Sequence, residues 1–284
     1  MSIIDLSRED HSYFLGLFQT DGHLQASTGR KGKASIELAV KDRELLMQLS
    51  ALFPSVNVNI STRTRTTNFS DSYTSATWRA CSLEFRRELQ ACGVPVGRKS
   101  LRIQPPDIPY HARGYFRGLI DGDGSVGFTR RGFPFVAFLT ASEAMADHFC
   151  ATAKTITGAV RNPKRNKRDN AFSLMVASDP ASQLAKWAYP PGCLALDRKR
   201  RSAAAVAAWA RPEGMRARAL LGKRAWTPEE DFIAVTLPRE AAAQKLNRTV
   251  SSVKVRVWRL EQVAKFADAG AVAPTVDTAT EADR

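Results

Sequence analysis

The chain has 284 residues, 44% hydrophobic and 25% charged, the balance of a folded globular protein rather than a disordered one. Its 42 Lys and Arg against 28 Asp and Glu leave a net charge of +14, which points to a polyanionic partner. The opening MSIIDLSRED has no basic stretch leading into an apolar one, and no run reaches the ~18 apolar residues of a membrane span, so a secreted or membrane protein is excluded and a cytoplasmic location expected.

In chain order, FLGLFQTDG (Phe14–Gly22) reads as a helix closed by a glycine suited to a C-cap. Strands are expected at Gly22–Ser27 and Ala34–Lys41, with Arg30, Lys31 and Lys33 in the loop between them, then a helix at Arg43–Phe53. The stretch VNVNISTRTR (Val56–Arg65) alternates, which sets Val56, Val58 and Ile60 on one face and Asn57, Asn59, Ser61, Arg63 and Arg65 on the other. Its partner, SYTSATWRA, puts Ala76, Trp78 and Ala80 on one face and Ser75, Thr77 and Arg79 on the other. Such a polar face suits base edges and phosphates, and it also suits plain solvent. Three prolines in Ile103–Pro109 then break the chain.

The second segment carries FRGLIDGDG (Phe116–Gly124), with Arg130 and Arg131 in its first hairpin loop. A longer basic run follows, RNPKRNKRD (Arg161–Asp169), which includes Lys164, Arg165 and Lys167 and is suited to tracking phosphates. Cys81, Cys92, Cys150 and Cys193 show no CxxC spacing and read as buried thiols of a reducing compartment. Past a basic linker at Arg211–Arg224, Thr227-Pro228-Glu229-Glu230 forms a capping box. Pro238 opens a second helix, and Thr249 or Ser251 starts a third. On that third helix Val253, Val257 and Leu260 face inward, leaving Lys254, Arg256 and Arg259, with Arg248 before them, for DNA. The acidic tail from Ala267 onward reads as disordered and has a net charge of −3, so the other 266 residues carry +17. The chain divides into 1–102, 110–210, 225–263 and 267–284.

The first two segments repeat one plan. Each motif is preceded by a tyrosine (Tyr13, Tyr115), and the closing Asp21 and Asp123 stand 102 positions apart. GRKS at Gly97–Ser100 and DRKR at Asp197–Arg200 place Lys99 78 residues after Asp21 and Lys199 76 after Asp123. Two landmarks at near-constant offset indicate an internal duplication.

FLGLFQTDG and FRGLIDGDG resemble the two motif copies of the LAGLIDADG family, which comprises homing endonucleases and related intron maturases. The resemblance spans roughly residues 10–205 and implies an α+β fold of two pseudo-twofold-related αββαββα repeats. The motif helices would pack together with their acids at the ends, and two sheets would form a saddle over DNA. Gly16 and Thr20, and Gly118 and Gly122, recur at i and i+4, where small residues let helix backbones approach. That approach would bring Asp21 and Asp123 together as a repelling pair, relieved by a hard divalent cation, Mg²⁺ or another such as Mn²⁺. Asp121 points away on the helix and reads as structural; Gln19 is its counterpart. The resemblance further implies that Lys99 and Lys199 lie near the scissile phosphate, and that Lys41, matched by Ala141, is a polar active-site residue.

The expected protein is thus a monomeric, site-specific double-strand DNA endonuclease with a long asymmetric target. By the same resemblance it cuts across the minor groove and leaves short 3′ overhangs. Residues Trp226–Leu260 resemble Myb-like and phage-type helix-turn-helix domains, whose third helix enters the major groove; protein docking is the alternative. The rival class is a non-catalytic nucleic-acid binder, either a maturase with intron RNA as partner or a transcription regulator. No membrane partner is expected.

Overall fold

The structure, a computed structural model, describes residues 2–25, 32–67, 70–213 and 226–268, with side chains to residue 261 in the last helix. The chain separates into two units that meet at residue 213.

The first repeat runs α1 (Glu9–Asp21), β1 (Gly22–Leu24), β2 (Ala34–Ala39), a 3₁₀ turn (Val40–Asp42), α2 (Arg43–Leu52), β3 (Val58–Thr67), β4 (Ser70–Ala80) and α3 (Leu83–Ala91). Its four strands form an antiparallel sheet in the order β1-β2-β4-β3. The second repeat runs α4 (Ala112–Asp123), β5 (Gly124–Phe128), β6 (Pro134–Thr140), α5 (Glu143–Thr157), β7 (Phe172–Ala177), α6 (Asp179–Ala188) and α7 (Asp197–Ala207). Its sheet has three strands, β5-β6-β7, so the expected αββαββα plan is one strand short here and gains α7.

The missing strand falls on the basic run. Gly158 ends α5 in the left-handed region (φ 69), and Pro163 supplies no N–H for a ladder. Asn166 instead takes the amides of Arg168 (2.9 Å) and Asp169 (3.0 Å), and Asn170 turns back at φ 55. One isolated bridge, Arg165 to Phe172, is what remains of the pairing.

A single apolar core runs through both repeats, with α1 and α4 at its centre. Every residue of α1 from His11 to Gln19 is buried, so this helix has no solvent face. Duplicate aromatic clusters fill the two halves. In the first, Phe14 packs on Phe53 (4.8 Å) and Trp78 (5.7 Å); in the second, Phe116 packs on Phe149 (5.7 Å) and Trp187 (5.6 Å). Gly22 and Gly124 are the C-caps as read, but in extended rather than left-handed backbone (φ −77 and −103), leading each helix straight into a strand. They are glycines for want of room, since a Cβ on Gly22 would lie 2.4 Å from the Phe18 carbonyl oxygen.

Ser75, expected outward, is buried at 1% exposure where β4 lies between Ala39 and Arg63. All four cysteines are free thiols; Cys92 and Cys150 are buried, while Cys81, between β4 and α3, is exposed contrary to expectation. Among the described residues no helix is long and apolar enough to cross a membrane.

The second unit holds α8 (Pro228–Thr236), α9 (Arg239–Lys245) and α10 (Val250–Asp268). The capping box forms as read: Thr227 Oγ1 accepts from the Glu230 amide and Glu230 accepts from the Thr227 amide. Ala234, Ala242, Ala243, Leu246, Val253 and Val257 make its small core, whereas Leu260 is only half-buried. The acidic tail from residue 269 onward and the basic linker from residue 214 to 224 lie outside the described residues, while Ala267 and Asp268, expected in the disordered tail, belong to the last turn of α10.

Candidate functional site

The site is built on the α1–α4 pair, whose backbones touch. A Cβ on Gly16 would sit 2.3 Å from the Tyr115 carbonyl oxygen, and one on Gly118 would sit 2.2 Å from that of Tyr13. One turn on, a Cβ on Gly122 would overlap Thr20 Oγ1 at 1.8 Å. Gly114 extends the seam upstream, where an added Cβ would sit 2.2 Å from the Glu9 carbonyl oxygen.

The pair is cross-locked by its tyrosines. Tyr13 donates to Asp121 (2.7 Å), and Tyr115 donates to Gln19 (2.5 Å), so each motif's tyrosine reaches the other's matching position. Asp121 is fully buried and also accepts from Tyr189 (2.8 Å) and the Leu196 amide (2.6 Å). It is structural, as its place on the helix implied. Arg117, at 1% exposure, has no match in the first copy, where Leu15 stands. It binds Glu9 (2.7 Å) and the carbonyls of Ala188 (2.9 Å) and Leu194 (2.8 Å).

Asp21 and Asp123 close the two helices at the same end of this seam. Burial first, then the negative charge of Asp123, pushes the Asp21 carboxyl up to about 6, against Lys199, Lys99 and Arg198. Burial raises Asp123 as well, opposed by Lys99 and Lys199. Among the described residues no group of three or more His, Cys, Asp or Glu side chains gathers. The carboxylate oxygens of Asp21 and Asp123 are donors of the kind that Mg²⁺ or Mn²⁺ accept, ions that take water or phosphate oxygens in their remaining positions.

Lys99 and Lys199 stand beside the acids and have a task the sequence did not disclose. Lys99 Nζ donates to the carbonyls of Gln19 (2.6 Å) and Thr20, at the C-terminus of α1. Lys199 Nζ donates at the end of α4 to Ile120 (2.7 Å), Asp121 (2.6 Å), Gly122 (3.2 Å) and Gly124 (2.8 Å). Each ammonium therefore satisfies orphan carbonyls and the negative end of its helix dipole. Burial first of all draws Lys199 down to about 8, against the pull of Asp121. The constant offset from acid to lysine was the available signal, since a cap must return to the same helix end. Lys41 is exposed in the 3₁₀ turn next to Asp42, which pairs with Arg198 of the second repeat (3.2 Å).

The first sheet gathers the polar candidates on one face. The register places His23, Ser35, Arg79 and Asn59 in one row, and Glu37, Thr77 and Ser61 in the next. Arg63 and Arg65 continue that face along β3, and Asn57 is exposed just before it. Arg65 is paired with Glu37 (2.8 Å). Lys33 is half-buried, while Arg30 and Lys31 lie outside the described residues. In the second repeat Arg130, Arg131, Lys164 and Lys167 are exposed, but Arg165 lies over Phe172 and binds the carbonyls of Asn170 (2.7 Å) and Ala141 (3.1 Å).

In the second unit two expected DNA contacts are committed elsewhere. Arg248 binds Glu230 (2.6 Å) and covers the Trp226 ring at 4.1 Å; Arg256 forms a fork on Asp231 (2.6 Å for Nε). Both serve the module's own packing, because Glu230 and Asp231 in the first turn of α8 lie against them. Lys254 and Arg259 remain exposed, beside Val255 (46%) and Trp258 (58%).

Residues 9–90, α1 through α3, match the model of the LAGLIDADG-like domain. No curated protein matches the chain by sequence. Among solved structures, the homing endonuclease I-WcaI bound to its DNA recognition sequence is 10% identical, with a TM-score of 0.52 over 70% of this chain and 87% of that one. Full-length DUF199/WhiA from Thermatoga maritima is 14% identical, with a TM-score of 0.44 over 91% of this chain and 92% of that one.

Proposed function

For a chain that carries a LAGLIDADG-like domain and shares the fold of a homing endonuclease, we propose the activity of a site-specific, metal-dependent double-strand DNA endonuclease. The observation that carries this reading is the arrival of one motif acid from each repeat at the same end of two helices in backbone contact. A half-buried carboxylate, Asp21, and an exposed one, Asp123, suit a divalent ion facing a phosphodiester. When bound, such an ion lowers the pKa of a water and stabilises charge on phosphate oxygens.

Asp21 and Asp123 would hold the ion. Lys99 and Lys199 would act by fixing the helix ends that carry those acids, and Lys41 would supply a polar group on the first repeat's side only. The first sheet's polar face would read base edges, and the basic loops would take phosphates. In the second unit Lys254 and Arg259 would engage DNA with α10 as recognition helix. Both halves of the site lie in one chain, which suits a monomer and an asymmetric target.

The test incubates the protein and Mg²⁺ with a plasmid library of randomised inserts and sequences the new ends. The expected result is recurrent ends with a fixed short 3′ overhang, reduced at least ~10³-fold by Asp21→Asn or Asp123→Asn while gel-shift affinity is kept. Deleting residues 225–284 should weaken binding to the recovered site roughly tenfold or more and leave metal-dependent cutting intact. The second reading is a non-catalytic binder, maturase or regulator, and the observation favouring it is that both lysines are engaged by carbonyls. Intact DNA ends with retained RNA or duplex affinity would establish it.

A further inference from the structure

The two sheets present opposite chemistry on corresponding faces. Gly22 pairs with Ile36 in the first sheet and Gly124 with Phe138 in the second, so the 102-residue offset of the motifs carries through the first hairpin of each repeat. By that register His23, Ser35 and Glu37 correspond to Ser125, Ala137 and Leu139. On the next strand Arg79, which pairs with Ser35, corresponds to Met175, which pairs with Ala137. Glu37 and Arg79 of the first face are thus replaced by the apolar Leu139 and Met175.

The second face as a whole consists of Ser125 and Gly127 on β5, Phe135, Ala137 and Leu139 on β6, and Ser173, Met175 and Ala177 on β7. It holds no charged side chain. Leu139 is 49% exposed and Met175 48%, and neither belongs to the core. A Cβ on Gly127 would meet only the Phe135 ring, at 3.7 Å, so the glycine leaves that ring uncovered on one side.

This apolar strip is rimmed by cations. Arg130 and Arg131 stand at the β5–β6 turn, and Arg161, Lys164, Lys167 and Arg168 follow along the loop that replaces the missing strand. Arg161 is drawn over the strip's edge by its bond to the Met175 carbonyl (2.9 Å). A strip three strands wide with a basic border matches the cross-section of a major groove between two phosphate backbones. The apolar group a major groove displays is the C5-methyl of thymine.

We infer that the second repeat reads its half-site through Leu139, Met175 and Phe135 packing on thymine methyl groups, whereas the first repeat reads by hydrogen bonds. The inference rests on the DNA-binding reading above. It assigns a specificity role to three residues and a composition, rich in A·T pairs, to one half of the target.

The test selects bound duplexes from a random library with the full chain carrying Asp21→Asn and Asp123→Asn, with and without Leu139→Asn plus Met175→Asn. The apolar-strip substitutions are expected to alter base preference in one half of the site only, which identifies that half. Thymine is then replaced by deoxyuracil, which lacks only the methyl, in each half separately. Affinity should fall roughly fourfold per contacted methyl in the identified half, the factor that burying one methylene-sized group supports, and less than twofold in the other. The Leu139→Asn plus Met175→Asn protein should not distinguish the two bases. Specific binding with no response to deoxyuracil in either half overturns the inference and points to a protein docked on the strip. Recovery of no specific duplex overturns the DNA reading beneath it.

Discussion

The two repeats share a plan at their centre and part company at their rims. Along the α1–α4 seam the copies are near mirror images: Gly16 faces Gly118, Tyr13 reaches Asp121 as Tyr115 reaches Gln19, and a lysine closes each helix. On the sheets the copies differ in strand number and in the chemistry of the outer face. The lesson is that backbone contact leaves no freedom, while a surface facing a ligand can diverge strand by strand. Under the proposed function the chemistry would belong to the seam and discrimination to the sheets.

The sharpest way to break this symmetry is to add a methyl to the seam. Gly118→Ala and Gly16→Ala should each destabilise the fold by about 3 kcal/mol, because the colliding atom is a backbone oxygen that cannot move aside. Urea titration followed by circular dichroism would read it. Equal losses support an equivalent seam; a mild effect at either glycine would show that the helices can part.

The lysines should separate the copies. Lys199 is 7% exposed and touches four carbonyls, whereas Lys99 is half-buried and touches two. Lys199→Met should cost roughly 2–3 kcal/mol and Lys99→Met about 1 kcal/mol, by the same titration. If cleavage falls far more steeply than stability in either variant, that lysine acts on the phosphate as well as on its helix.

The smallest effect is electrostatic. The Asp21 carboxyl is held near 6, above its ordinary value of 3.8, so its ionisation opposes folding above about pH 6. The penalty fades as pH falls from about 6 through the ordinary 3.8, and is gone only near pH 3 and below, where the acid is neutral in both folded and unfolded chains. Asp21→Asn should therefore raise Tm by a few degrees at pH 7.5, about 1–2 kcal/mol, and by nothing near pH 3 in calorimetric scans. Cleavage by the unaltered protein should climb as pH rises through about 6, when the proton no longer competes with the divalent ion.

What the sequence made legible was whatever repeats or alternates. The motif offset located both acids, and the alternation in Asn57–Arg65 located the first polar face. The spacing of small residues anticipated the seam, though Gly114 was passed over because its contact, Glu9, precedes the motif. Illegible were features set by partners distant in the chain. The ion pairs of Arg248, just before α10, and of Arg256, on it, are set by Glu230 and Asp231 of α8. The helix-capping task of Lys99 and Lys199 was likewise hidden, since the demand for a cap comes from carbonyls 75–80 residues away. The lost strand of the second repeat was foreshadowed by Asn162-Pro163 within a basic run, a signal that charge alone obscured.

The buried first helix carries a consequence for synthesis of the chain. Phe14, Leu15, Leu17 and Phe18 are covered on every side, and one of those sides is α4, about a hundred residues downstream. At the usual ribosomal pace of 5–20 residues per second, α1 waits roughly 5–20 s for its partner. During that interval the nascent first repeat exposes an apolar helix that it cannot shelter by itself. The first half of this chain is therefore expected to engage a chaperone as it emerges, and to aggregate when expressed alone.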